Sequence, residues 1–170
     1  MVPDTDLQLQ TALKALQDVI RPALDPANKA AHEQLGLTIA SLAMVRSHLP
    51  LLNQRDRAEL RVLITMADAV RATGALHGQL QLFDGFGALL DDPLVDMAAL
   101  HQARAELSDR IAGVVALVEG GPLQETVARA VVDSSAASFR LARSWFQAAG
   151  FETGGGLPAI ETLLAEAVYE

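Results

Sequence analysis

Apolar side chains recur every three or four residues along most of the chain, in stretches that end at a proline or a glycine. That period puts one apolar stripe on each of several helices and leaves the other faces polar. A helix with a single stripe is not stable alone, so the stripes must face one another. The expected fold is therefore all-α: an antiparallel bundle of four to five long helices plus a short C-terminal helix, in one domain over residues 1–170. Composition agrees, since Ala and Leu abound while Trp and Tyr occur once each.

Punctuation sets the expected boundaries. The first helix spans 5–21, with Thr5 as cap, Gln8 completing a capping box, and Pro22 ending it. Its stripe is Leu9, Leu13, Leu16 and Ile20. The second opens with Asp25 as cap and Pro26 at the first helical position, and runs to 49 before Pro50. Its seam reads His32, Leu35, Ile39, Leu42, Arg46, Leu49. The third starts near Asn53 and carries Leu60, Leu63, Ile64, Ala67 and Val70. The fourth repeats the Asp-Pro opening at Asp92-Pro93 and runs to 119, with the seam Met97, Leu100, Arg104, Leu107, Ile111, Val114, Val118. Gly120-Gly121-Pro122 then turns into a fifth helix ending at 149, a connection short enough to require antiparallel neighbours. After a linker, Gly154-Gly155-Gly156, a short helix over 158–168 presents Ile160, Leu163, Leu164 and Val168 on one face.

The segment 73–90 is different. Gly74, Gly78, Gly85 and Gly87 alternate with Leu76, Leu80, Leu82, Phe83 and Phe86. It reads either as a loose continuation of the third helix, kinked at its glycines, or as an apolar flap over a pocket or an arm reaching a second protomer.

Charge and cysteine content exclude several classes of function. The 170 residues include 21 acidic against 13 basic side chains, a net charge of −8, and only Lys14 and Lys29 are lysines. An acidic surface repels phosphate backbones, so neither nucleic acid nor an anionic membrane is an expected partner. The absence of cysteine removes disulfides, thiolate metal sites and a thiol nucleophile. The N-terminus is acidic and lacks an apolar leader, and the longest apolar run that includes a glycine, 111–118, is far short of the ~20 residues of a membrane span. A cytoplasmic location is expected.

Few residues invite a chemical reading. The histidines, His32, His48, His77 and His101, fall one per segment, and none follows a carboxylate at the three-residue spacing used by bundle metal sites. No metal or cofactor is expected. Ser134, Ser135 and Ser138 lack a base at readable spacing and read as small residues that let helices approach. Arg46 and Arg104 at seam positions either reach the rim and pair with acids such as Asp68 or Asp133, or floor a polar cavity that binds an acidic head group. In the second case Phe83, Phe86 and Trp145 would line an apolar cavity.

The string Ala31-His32-Glu33-Gln34-Leu35-Gly36-Leu37 resembles the phosphoacceptor stretch of one class of sensor histidine kinases. That resemblance implies His32 as phosphoryl carrier and Glu33 as its base, and again a dimeric helical hairpin. It covers about a dozen residues, without the family's basic lead-in or its ATP-binding domain. The layout of the first fifty residues, from Arg21-Pro22-Ala23-Leu24 to His48-Leu49-Pro50-Leu51-Leu52, is similar to small uncharacterised all-helical bacterial proteins that accompany kinases resembling aminoglycoside phosphotransferases. This implies an accessory role and assigns no residue. The expected function is a non-enzymatic accessory or interaction protein, a homodimer or the partner of another protein. A small-ligand carrier and a phosphotransfer module at His32 are the alternatives.

Overall fold

A computed structural model describes residues 4–76, 80–147 and 156–169. The chain is 81% helical, and no strand occurs among the described residues. Its helices are α1 (Thr5–Ala15), α2 (Lys29–His48), α3 (Leu52–Ala72), α4 (Gly87–Asp91), α5 (Met97–Leu117), α6 (Gln124–Gln147) and α7 (Ile160–Tyr169). They form two compact units: Met1–Leu51 with Arg143–Leu157, and Leu52–Ala142 with Pro158–Glu170.

In the first unit, Asp4 rather than Thr5 caps α1, its carboxylate accepting from the Asp6 amide. Pro22 does not end the helix. The backbone loosens into a π-turn over Leu16–Ile20, with the Arg21 amide donating to the Leu16 carbonyl, and then passes through Pro22 to Ala23. A proline has no N–H and crowds the carbonyl four residues back; the wider turn relieves both problems. Leu13 packs against Leu35 and Ile39 of α2, flanked by Leu16, Leu24 and Leu42. Asp6 near the start of α1 pairs with Arg46 near the end of α2, so these two helices are antiparallel.

Both Asp-Pro openings begin a turn ahead of the helix instead of the helix itself. Asp25 accepts from the Ala27 amide and Asp92 from the Leu94 amide. A second Asx residue then caps the helix proper, Asn28 for α2 and Asp96 for α5. The same side-chain chemistry makes Asx-turns and N-caps, and the later residue won in both places. Nor does Pro50 stop the helix: Leu49–Leu51 tighten into a 3₁₀ turn, and α3 follows directly. Within Lys29–Ala72 an 18-residue window reaches a mean hydropathy of 1.4 with 17% of it buried, apolar and long enough by composition to cross a membrane. Thr38, Ser41 and Ser47 interrupt it, so it contains no long unbroken apolar run.

The second unit holds the larger core. Leu60, Met66 and Val70 of α3 meet Leu100, Leu107, Ile111 and Val114 of α5. Contacts between the two helices climb together, Asp56 with His101 and Arg104, then Met66 beside Ile111, so α3 and α5 run in the same direction. Their connection must therefore return along roughly 30 Å of helix. Residues 73–96 make that return, which accounts for the glycine-rich segment. Helix α3 ends at Ala72 instead of continuing, and Gly74 (φ +77°) and Gly85 (φ +90°) take left-handed turns. Such turns strain any residue with a Cβ. Phe83 and Phe86 are buried in the core, with the Arg110 guanidinium over the Phe86 ring. Arg57 donates to the Leu90 and Asp92 carbonyls, Arg110 to that of Leu82, and Arg71 to the Asp84 carboxylate. This part of the segment is a strapped crossover rather than an open flap; residues 77–79, including His77 and Gly78, lie outside the described ones.

Helix α6 comes back antiparallel to α5, with Val131 near Ile111 and Ser138 near Arg104. Ile160, Leu163 and Leu164 of α7 are buried; the Val168 side chain and the glycines at 154 and 155 lie outside the described residues.

Candidate functional site

The sequences Asp56-x-x-Glu59 on α3 and His101-x-x-Arg104 on α5 each put two polar side chains on one helical face. Parallel packing of α3 and α5 brings the two faces together. Asp56 is fully buried. One of its oxygens accepts from Arg104 at 2.8 Å and Arg55 at 3.0 Å, and the other lies 2.6 Å from His101 Nε2, off the axis of a straight hydrogen bond. The second Arg104 amino group pairs with Glu59, which Arg55 Nε approaches to 3.5 Å. A buried carboxylate is tolerated only when compensated in this way. Burial lowers the pKa of the Arg104 guanidinium from its ordinary value; Asp56 opposes that effect and neighbouring Arg55 adds to it.

The cluster floors a cleft of about 570 Å³. Leu63, Ser108 and the exposed His101 ring continue its walls, and Ser138 of α6 closes the far side. Leu63 and Ser108 also open a second lobe of about 590 Å³, walled by Met66, Ile111, Ala112 and Val115. At the first lobe α6 presents Ser138, half-buried, and a side chain of that size does not fill the gap. The Ser134 and Ser135 hydroxyls are occupied on their own helix, donating to the Ala130 and Val132 carbonyls.

The residues expected from sequence divide between the units. Arg104 lies in the cleft, but its acids are Asp56 and Glu59 instead of Asp68 or Asp133; Asp68 pairs with Arg71. Arg46 belongs to the first unit, held by Asp6 through two contacts of 2.6 and 3.0 Å. That pairing lowers the Asp6 pKa, opposed by desolvation, and raises that of Arg46. Phe83 and Phe86 pack in the second unit's core, while Trp145, also buried, lies against His48 in the first, ring centroids 4.3 Å apart. His32 is half-buried with Nε2 closed to solvent, and Glu33 is exposed. Among the described residues no three His, Cys, Asp or Glu side chains gather as a metal site.

Asp56, Glu59, Arg55 and His101 were not singled out by sequence reasoning. The available signal was a polar pair at i, i+3 on each of two helices whose remaining stripes are apolar.

The outer face of α6 is a second distinct feature. Val132 and Phe139, seven residues apart, are each 66% exposed. Ala128, Ser135 and Ala142 alternate with them at helical spacing.

No family model, curated protein or solved structure matches the chain.

Proposed function

We propose that the chain is a non-enzymatic helical interaction protein that self-associates through the outer face of α6. The exposure of Val132 and Phe139 on successive heptads carries this reading. Aromatic and aliphatic side chains aligned in water on one helix face are a feature of interfaces. The pattern is self-complementary. In an antiparallel pair about a two-fold axis, Phe139 of each copy faces Ser135 of the other, and Val132 faces Ala142, large against small. The layout resemblance of the first fifty residues supports an accessory role for such a dimer.

Sedimentation velocity at micromolar concentration tests the proposal. The expected result is a dimer that Phe139→Glu converts to a monomer with unchanged helical content. A strictly monomeric wild type overturns it, as does a dimer indifferent to Phe139→Glu. The two-lobed cleft favours a second reading, a small-ligand carrier.

A further inference from the structure

We propose that the cleft between α3, α5 and α6 binds an aliphatic monocarboxylate, its head over Arg104 and His101 and its tail along Leu63, Met66, Ile111 and Val115. The site is independent of self-association.

The charges select the head group. Helix α3 presents Arg55, Asp56 and Glu59, α5 presents His101 and Arg104, and α6 contributes only the Ser138 hydroxyl to this lobe. Two guanidiniums balance two carboxylates. The Asp56 carboxylate is buried beneath the floor and already shared, and Glu59 is engaged by Arg104, so neither is available to attract a cation. The His101 side chain is 53% exposed, at the edge of the cleft. Guanidinium groups retain further N–H donors after two contacts, enough for an incoming carboxylate.

The second lobe selects the tail. Between Ser108 at the junction and Glu119 and Gln124 beyond, its walls are aliphatic, and each lobe has the size of an ordinary small-molecule site. Val115 lies fourteen residues beyond His101, about 21 Å along α5, so the path suits an extended chain. Glu119 and Gln124 mark its far end and limit the tail's length.

Titration calorimetry with dodecanoate tests the inference, with dodecanol and dodecyltrimethylammonium as controls. The expected result is saturable one-to-one binding of dodecanoate alone. Ala112→Trp places an indole in the tail lobe from an exposed position and should weaken binding at least tenfold with the circular dichroism unchanged. Absence of saturable dodecanoate binding overturns the inference, as does equal binding of either control. Binding unchanged by Ala112→Trp places the ligand elsewhere and overturns it too.

Discussion

Two aspartate–arginine pairs, one in each unit, join neighbouring helices at nearly the same distance. Asp6 and Arg46 meet at 2.6 Å through a two-pronged contact, and Asp56 and Arg104 at 2.8 Å. By geometry the first is the better bond. By environment the order reverses, because the Arg46 and Asp6 side chains are 35% and 52% exposed while Asp56 has no exposed surface. Water competes for the first pair and screens it, so little stability depends on it. Asp56 has no water to return to, and removing any partner strands a buried charge. The worth of an ion pair is set by what surrounds it.

Breaking the buried pair should have the largest effect. Asp56→Ala leaves Arg104, Arg55 and His101 facing each other without their shared anion and should cost about 3–5 kcal/mol in chemical denaturation. Replacing both partners with apolar residues, Asp56→Leu with Arg104→Met, should cost clearly less than the single change, the signature of coupling. An additive double variant would show that the pair is not the unit that matters.

The same contrast holds for aromatic residues. Phe86, buried under Arg110, should cost about 3 kcal/mol or more on truncation to Ala, measured by urea unfolding. Phe139→Ala should change monomer stability by about 0.5 kcal/mol or less, its side chain being already in water. Equal losses at the two sites would mean that the outer face of α6 is covered within the monomer.

The smallest effect belongs to the exposed pair. The carboxyl of Asp6 is held below its ordinary value of about 3.9, so its contribution is present above that pH and is lost as pH falls through the lowered folded value. Asp6→Asn should therefore match the wild type's pH profile of stability from pH 5 to 7 except for a constant offset. The two curves should converge only below about pH 4. A divergence near neutrality would assign the difference to another group.

Local chemistry was largely legible. The seam of α5 was readable residue by residue, because burial of Leu100, Leu107, Ile111 and Val114 follows from their spacing alone. The errors were also local in kind: Asp25 and Asp92 offered caps that Asn28 and Asp96 took, and Pro22 was absorbed by a π-turn. Both outcomes turn on competition between adjacent groups that differ by about a kilocalorie. The partners of Arg104 were not legible. Asp56 is 48 residues away, and only the rotation of α3 against α5 selects it over Asp68, which lies on the same helix.

The sequence by itself determined that the chain is helical, where most helices lie and which apolar side chains α5 buries, because helical periodicity depends on neighbours three and four residues apart. Tertiary structure decided that α3 and α5 run in the same direction. It thereby made the glycine-rich segment a crossover, gathered Asp56, Glu59, His101 and Arg104, and left a cleft beneath the small residues of α6. Those outcomes depend on direction and rotation between helices, which no single helix encodes.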